Sequence, residues 1–331
     1  MIAAVIPRFG PPDVLEVREY PTPTPMAREV LVRVHASALN RADLLQRIGR
    51  YPAPPGWPGD VPGLEFAGEV AATGSDAVRW RTGDRVFGLV GGGAHAEYVV
   101  VHESTLVRIP DAMTWHQAAA IPEAFFTAHD AMITQGALRP GERVLVHAVA
   151  SGVGLAAVQI ARAWGAHPYG TSRTAAKLPA AVAAGMVDGV ALPDSLDPLA
   201  AAIARWTDGH GMDLTIDLVG GAYLPASIAG ASLHGRLILV GAVAGARAEV
   251  DVRQILSKRL TLRGTVMRAR TLEERIIVAS AFESDILPRL ATGALVPNID
   301  SVFTLAAIVD AHTRLETNET VGKVIIEMPP R

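Results

Sequence analysis

Strand and helix patterns alternate through the middle of the chain, and this alternation constrains the fold more than any other feature. The segment VLVHAVASGVGLAAVQIARAWGAH, residues 144–167, begins as a buried strand, passes through a loop of small residues and continues as an amphipathic helix. Further strand candidates follow in HPYGTS, MDLTIDLVG, GRLILVGAV and LTLRGTVM, with a helix candidate TAAKLPAAVAAGM after the first and DVRQILSKR before the last. Repeated strand–helix units of this length predict an α/β domain whose parallel sheet carries helices on both faces.

Short strands separated by turn residues are the pattern of residues 1–122. EVLVRVHASAL alternates apolar and polar residues, as a half-buried strand does. The proline-rich segment YPAPPGWPGDVPG predicts a stiffened surface loop, because proline fixes φ and removes hydrogen-bond donors. A last strand, GKVIIEM, is expected to rejoin this part of the chain. We therefore predict a discontinuous mainly-β domain of residues 1–122 and 265–331, and an α/β domain of residues 123–264.

Composition limits the classes of function. The chain has 331 residues, enough for about two domains, and a formal net charge of −3 without a basic run, so we expect no nucleic-acid partner. It has no cysteine, which excludes disulfides, thiolate metal sites and a cysteine nucleophile. The first residues, MIAAVIPRFGPP, lack the charged start of a signal peptide, and no apolar stretch reaches the roughly 18 residues that span a bilayer. A soluble cytoplasmic protein without membrane contact is the expectation.

The loop AVASGVG resembles a dinucleotide-binding turn, in which small residues let backbone N–H groups approach a pyrophosphate at a helix N-terminus. A full G-x-G-x-x-G would place glycine at Val149, Ser151 and Gly154, and only the last is glycine. The strand before and the helix after are the context that the motif requires. We predict that Ser151, Gly152 and Val153 bind the cofactor; a tight βα turn in another kind of α/β protein is the alternative.

The end of the next strand carries cations where an NAD site would usually carry an acid. Ser172 ends the strand HPYGTS, Arg173 and Lys177 follow it, and no Asp or Glu is present there. A hydroxyl and two cations suit a ribose 2′-phosphate, so NADPH is the predicted cofactor. An ordinary solvated helix start would explain the two cations as well. Gly241 and Ala242 follow the strand LILV, at a carboxyl end where such sheets bind ligands, and are predicted to bind the cofactor too.

Several motifs together resemble the zinc-free, NADPH-dependent quinone oxidoreductases of the medium-chain dehydrogenase/reductase superfamily, particularly the p53-inducible type. These motifs are ASALNRADLLQRIGRYPAPPG, GLEFAGEV, GGGAHAEYV, HAVASGVGLAAVQIA and VGKVIIEM. The resemblance implies a groES-like, mainly-β catalytic domain beside a doubly wound Rossmann domain, with the active site in the cleft between them. It also implies a homodimer paired through the edge strand RLTLRGTVM.

The resemblance also implies that zinc is absent. Related zinc alcohol dehydrogenases carry G-H-E and cysteine ligands, whereas this chain reads Gly63-Leu64-Glu65 and has no cysteine. We therefore expect no metal.

Three catalytic candidates follow from the resemblance. Asn40 would lie near the nicotinamide, although a loop-capping role would equally explain it. Tyr51 could stack on, or hydrogen-bond to, an aromatic substrate, or simply pack on the neighbouring prolines. Ser151 would lie at the nicotinamide end of the cleft, or merely fit the turn.

Further cofactor contacts come from the same resemblance. The predicted cofactor-binding residues beyond those above are Asn40, Thr127, Met267, Arg268 and Asn318. For Arg268, the alternative is a solvated charge at a helix start.

His147 is a lone histidine on an apolar strand, and we interpret it as a core residue whose ring nitrogens are hydrogen-bonded.

The predicted function is NADPH-dependent reduction of quinones, ortho-quinones in particular, by hydride or electron transfer without metal. A quinone accepts hydride readily, so positioning and one hydrogen bond to the developing oxyanion suffice. One alternative is an NADPH-dependent reductase of enoyl thioesters or other activated alkenes, with Tyr51 as proton donor. A redox-sensing or structural protein that binds NADPH is an alternative of another class.

Overall fold

The computed structural model describes residues 1–330 and divides the chain into two compact units. Unit 1 combines Met1–Phe126 with the chain from Met267 onward, and unit 2 is Thr127–Val266. The elements of the first segment are strands β1 (Ile2–Val5), β2 (Glu16–Glu19), β3 (Glu29–Leu39), β4 (Glu65–Thr73), β5 (Arg85–Leu89), β6 (Tyr98–His102) and β7 (Leu106–Arg108), helices α1 (Arg41–Arg47) and α2 (Trp115–Ala119), 3₁₀ turns Pro12–Val14 and Glu103–Thr105, and a π-helical turn Pro122–Phe126.

Unit 2 continues the strand–helix alternation. Its elements are helices α3 (Thr127–His129), α4 (Gly152–Ala163), α5 (Leu178–Ala183), α6 (Asp197–Thr207), α7 (Tyr223–Gly230) and α8 (Val252–Lys258), strands β8 (Arg143–Val146), β9 (His167–Ser172), β10 (Asp188–Ala191), β11 (Met212–Asp217), β12 (Ala231–Leu239) and β13 (Thr261–Gly264), a π-helical segment Asp130–Gln135 and a 3₁₀ turn Ala175–Lys177.

The last segment returns to unit 1. Its elements are helices α9 (Leu272–Asp285), α10 (Leu287–Ala291) and α11 (Ile308–Glu316), strands β14 (Ile299–Thr304) and β15 (Lys323–Glu327), and a 3₁₀ turn Leu305–Ala307.

The main sheet of unit 1 is built around the long strand β3. The strand order is β14-β15-β3-β4-β5-β7, and β6 also pairs with β3. Because β3 is antiparallel to both β4 and β15, its carboxyl end lies beside their amino ends. The apolar residues of the alternating β3 pattern face a core that includes Phe66, Val86 and Val324. The pairing of β15 with β3 makes this unit discontinuous in sequence.

The sheet of unit 2 has six strands in the order β10-β9-β8-β11-β12-β13, and every pair is parallel. Taken by position in the chain, this is the order third, second, first, fourth, fifth and sixth, which is the doubly wound Rossmann topology. The α/β fold class with a mainly-β second unit is therefore confirmed. Strand β10 and helices α6 and α7 were not predicted from the sequence.

Within residues 1–330, none of the helices has both the length and the apolar character that crossing a membrane requires.

Candidate functional site

The predicted cofactor residues of unit 2, apart from Thr127, gather at one edge of its sheet. Because β8, β9, β11 and β12 run parallel, the segments that follow them share the carboxyl edge. Ser151 follows β8, Ser172 ends β9, and Gly241 with Ala242 follows β12. Predicted contacts from three separate segments of the chain therefore lie at the same edge of the sheet.

The loop after β8 is a tight turn that leads into the start of α4. Ser151 caps α4, and its Oγ accepts a hydrogen bond from the Gly154 N–H at 3.1 Å. A Cβ at Gly154 would lie 2.5 Å from the Val149 carbonyl oxygen, so only glycine fits there. The chain turns through Ala148 with φ 51°, where a glycine would be expected. Gly152 and Val153 form the first turn of α4, whose free N–H groups favour an anion.

The hydroxyl predicted for the ribose end lies on the last residue of β9, and the two predicted cations lie within five residues after it. The Ser172 side chain is buried, and its Oγ accepts a hydrogen bond from the Thr174 N–H at 3.3 Å. Arg173 is exposed, and Lys177 ends a 3₁₀ turn. Burial raises the pKa of Tyr223, and the nearby Arg173 charge opposes this shift. The charge of Arg173 thus acts on Tyr223, an interaction that the sequence did not suggest.

His147 is a core histidine, as predicted. Its Nδ1 lies 2.9 Å from Thr171 Oγ1, and its Nε2 lies 2.8 Å from Ser227 Oγ. Burial lowers the pKa of His147 to about 4, with the Asp217 charge opposing. The imidazole is therefore neutral at pH 7 and hydrogen-bonded at both nitrogens, which leaves it no role as a base.

Thr127 begins α3 and is buried in unit 2. Within residues 1–330, its Oγ1 has no hydrogen-bond partner. A buried hydroxyl without a partner is uncommon and is compatible with a ligand contact, which stays a prediction.

Asn40 lies at the centre of a buried polar network in unit 1. Its backbone N–H donates to Asp43 Oδ2 at 2.8 Å, and Asp43 Oδ1 accepts from the Gly63 N–H at 2.9 Å. Gly63 has φ +103°, and a Cβ there would lie 2.5 Å from the backbone nitrogen of His95. Asp43 thus fixes both the start of α1 and the turn before β4, and it holds Asn40 in place.

The Asn40 side chain bridges two buried charges, Glu65 and Lys323. Its Nδ2 donates to Glu65 Oε1 at 2.8 Å, and its Oδ1 accepts from Lys323 Nζ at 2.5 Å. Lys323 Nζ also lies 2.6 Å from Glu65 Oε1. Neither charge was singled out as a site residue from the sequence, although each is the first residue of a mainly apolar strand within the quoted motifs GLEFAGEV and VGKVIIEM. A charged residue in such a run is buried only when it is paired, and that signal could have found both.

A second carboxyl, that of Glu123, adjoins the network. The Glu123 N–H donates to Glu65 Oε2 at 2.7 Å. Burial and the Glu65 charge raise the pKa of Glu123 to about 7, and the Lys323 charge opposes this. The Glu123 side chain lines a cavity of about 20 Å³, together with Arg268, Arg275, Met267, Thr105 and Phe126 among others.

Tyr51 and Arg268 are in direct contact in unit 1. Arg268 donates through Nη1 to the Tyr51 carbonyl oxygen at 2.9 Å, and its Cζ lies 4.9 Å from the centre of the Tyr51 ring. Arg268 Nε also donates to the Gly91 carbonyl oxygen at 2.8 Å, and Arg268 Nη2 donates to Gln46 Oε1 at 2.5 Å. Arg268 is therefore buried and paired, and is not the solvated charge of the alternative interpretation.

Asn318 has left-handed backbone, with φ 58°, just beyond α11. Its Oδ1 accepts from Arg41 Nη2 at 2.6 Å, which brings it beside the start of α1 that Asn40 caps. Asn40, Tyr51, Met267, Arg268 and Asn318 thus all belong to unit 1, and the other predicted contacts belong to unit 2.

The donor set around Asn40 does not fit zinc. The chain has no cysteine, and Leu64 is a buried apolar residue at the position where related enzymes carry a histidine. Asp43 accepts two backbone hydrogen bonds, and His95 Nδ1 lies 2.8 Å from Ser37 Oγ. Across residues 1–330, no group of three or more histidine, aspartate or glutamate side chains is placed to hold a metal ion.

Two family models match the chain. Residues 26–111 match the alcohol dehydrogenase GroES-like domain, and residues 152–281 match the zinc-binding dehydrogenase model. A human quinone oxidoreductase is 32% identical over 332 residues, covering 98% of this chain and 97% of that protein.

Solved structures agree with this likeness. A mycobacterial protein complexed with NADPH is 28% identical with a TM-score of 0.88, covering 99% of this chain and 100% of the other. The CurK enoyl reductase is 27% identical with a TM-score of 0.87, covering 99% of both chains.

Proposed function

Because the chain belongs to the quinone oxidoreductase family of the medium-chain dehydrogenase/reductase superfamily, we propose that it reduces quinones with NADPH, ortho-quinones in particular, without a metal. It is an oxidoreductase of that superfamily. The observation that carries the quinone assignment is the likeness to a quinone oxidoreductase over 98% of the chain. A p53-inducible type of enzyme is the finer assignment that the sequence motifs favour.

The cofactor proposal rests on the carboxyl edge of the unit 2 sheet. Ser172, Arg173 and Lys177 offer a hydroxyl and two cations, and no acid occurs between Ser172 and Asp188 to bind a ribose 2′-hydroxyl. A 2′-phosphate would find charge-assisted donors here, which are about twice as strong as neutral ones. The NADPH-bound neighbour supports the same choice. When bound, NADPH supplies the hydride.

In unit 1, we assign substrate contacts to Asn40 and Tyr51. The amide of Asn40 is held by Glu65 and Lys323, so it is a rigid group. The half-buried phenol of Tyr51 could donate a hydrogen bond to a quinone oxygen, with its ring steadied by the Arg268 guanidinium. Ser151 and Thr127 would orient the cofactor from unit 2. Positioned donors of this kind stabilise a developing oxyanion without metal.

One further candidate function is the reduction of activated alkenes such as enoyl thioesters. The likeness to an enoyl reductase over 99% of the chain favours it, and Tyr51 could then act as proton donor. A third candidate is an NADPH-binding protein with a sensing or structural role.

We further propose a cytoplasmic homodimer with a small-molecule substrate, neither nucleic acid nor membrane as partner, and no zinc. The dimer would pair through β13, the edge strand of the unit 2 sheet, whose residues Thr261, Arg263 and Gly264 are exposed. Sedimentation of a Leu262→Pro variant tests this, because proline removes a ladder hydrogen bond and disfavours edge pairing.

The deciding experiment follows NADPH absorbance with 1,2-naphthoquinone, with NADH and a crotonyl thioester in parallel. Fast NADPH-selective loss with the quinone supports the proposal. Faster turnover of the thioester favours the alkene reductase, and tight NADPH binding without turnover favours the third candidate. Tyr51→Phe is expected to lower kcat/KM at least about tenfold. Tyr20→Phe, whose hydroxyl bonds Asp60 at 2.9 Å elsewhere in unit 1, is the control.

A further inference from the structure

Two neighbouring carboxyls in unit 1, those of Glu65 and Glu123, differ in their partners, because only Glu65 is paired with the Lys323 ammonium. The oxygens of Glu65 accept from Asn40 Nδ2 at 2.8 Å, Lys323 Nζ at 2.6 Å and the Glu123 N–H at 2.7 Å. Three donors, one of them charged, stabilise the ionised form of this carboxyl although it is fully buried. Glu65 is therefore the member of the pair that holds the negative charge.

Glu123 has none of these donors. Among residues 1–330, its side-chain oxygens accept no hydrogen bond and form no ion pair, while the ionised Glu65 lies next to it. The charged and titratable groups that face it are Glu65 on β4, Lys323 on β15, Asp43 on α1, Tyr51 in the proline-rich loop, Arg268, and Arg275 on α9. When two carboxyls lie together, the one that accepts fewer hydrogen bonds and has no cation bonded to it keeps the proton.

The position of Glu123 connects it to the proposed substrate contacts. It adjoins Asn40 through Glu65, and its charge acts on Tyr51. Its side chain lines the small cavity with Arg268, which contacts Tyr51 directly. Glu123 thus adjoins Asn40 through Glu65 and Tyr51 through Arg268.

We propose that Glu123 is the protonated carboxyl that donates the second hydrogen of the reduced substrate. This inference rests on the proposed quinone reduction. Hydride transfer moves one hydrogen and two electrons from NADPH to the quinone, which leaves a hydroquinone monoanion. The O–H bond of Glu123 then breaks, its proton forms the new O–H bond of the hydroquinone, and Glu123 remains as carboxylate. A solvent proton restores it, so the sum is quinone, NADPH and one proton giving hydroquinone and NADP⁺.

The ionisation range of Glu123 suits this task. A proton donor works best when its pKa lies near the operating pH, and the pKa of Glu123 is raised to about 7 by burial and by the Glu65 charge. Burial raises the pKa of Tyr51 above its usual 10, so the phenol can hydrogen-bond but does not titrate near neutral pH.

The test compares wild type, Glu123→Gln and Glu123→Asp from about pH 5 to about pH 9, a range that brackets the expected ionisation. We expect kcat with 1,2-naphthoquinone to fall about 10²-fold in E123Q with little change in KM, and the inflection near neutral pH to disappear. E123D should restore part of the rate. Glu69→Gln is the control, because Glu69 pairs with Arg33 at 3.4 Å away from the Glu123 cavity.

A second readout does not depend on turnover. Infrared difference spectra of wild type minus E123Q, on the full chain without substrate, should show a protonated carboxylic C=O band that titrates away near pH 7. Absence of that band at every pH, or an E123Q enzyme with the wild-type rate and pH profile, overturns the inference. A wild-type enzyme that binds NADPH and reduces no quinone would instead overturn the proposed function, whatever the infrared spectra show.

Discussion

Lys323 Nζ lies 2.6 Å from Glu65 Oε1, and both side chains are buried in unit 1. They meet because β4 and β15 flank β3 and begin beside its carboxyl end, where Asn40 follows. Burial raises the pKa of Glu65, and Lys323 is the largest opposing influence. The ion pair therefore joins the two distant segments of unit 1 at the point where the proposed substrate contacts lie.

Lys323→Met should destabilise the protein by about 3–5 kcal/mol, because it leaves a buried carboxylate without its cation. Urea unfolding at pH 7 measures the effect. The control is Arg33→Met, which breaks a pair with Glu69 whose side chains are 27% and 36% exposed and should cost no more than about 1 kcal/mol. Equal losses in the two variants would contradict this account of the buried pair.

Glu123→Gln should gain stability relative to wild type as the pH rises. The folded-state pKa of Glu123 is about 7, above its usual 4.5, so between these values the folded state binds more protons than the unfolded state. The free energy of unfolding of the wild type therefore falls as pH rises through that window, by about 1–3 kcal/mol for this partly exposed side chain. The variant has no ionisable group at this position and does not show that decrease. Urea midpoints of both proteins at pH 5 and pH 8 measure the difference. A difference that is the same at both pH values would mean that Glu123 ionises normally.

The α/β character of unit 2 was predictable because five of its six strands and three of its helices are recognisable segments that alternate along the chain. Strand β10 was missed because it has four residues, DGVA, all of them only half-buried, so it lacks an apolar signal. Strand β14 was missed because its outer residues Val302 and Thr304 are exposed and it runs directly into a helical segment. Both are edge strands, and an edge strand need not consist of apolar residues because it is not buried on both faces.

The site was predictable where one loop carries it and not where distant segments meet. Ser151, Ser172 and Gly241 each follow a recognisable strand, so the parallel topology brings them to one edge. Glu65 and Lys323 meet because β3 aligns the starts of β4 and β15, and Glu123 joins them from the turn Pro122–Phe126. The spacing of the three residues along the chain does not indicate that they meet. Their one local signal was charge within an apolar run.

His147 should make unit 2 sensitive to acid. Its folded-state pKa is about 4, below the usual 6.5, so the unfolded state binds more protons between these values. The stability of the unit is therefore full above about pH 6.5 and falls, by up to about 3 kcal/mol, as pH drops towards 4. Amide hydrogen exchange in β8 and β9 reports this unit separately. His147→Gln should be less stable at pH 7 but lack this acid slope, and a slope that persists in the variant would assign it to another group.

Arg173→Ala should weaken NADPH binding about 10- to 100-fold, since a hydrogen bond to a charged group contributes roughly 1.5–3 kcal/mol. NADH binding should hardly change, because NADH has no 2′-phosphate, and the NADPH affinity of wild type should fall with added salt more steeply than that of the variant. Calorimetric titration of both cofactors measures this. Arg139→Ala is the matched control, because Arg139 is an exposed cation of the same unit that precedes β8, at the opposite edge of the sheet. If Arg173→Ala weakened both cofactors equally, Arg173 would be contacting something common to both, such as the pyrophosphate, and the assignment of the 2′-phosphate to this strand end would be wrong.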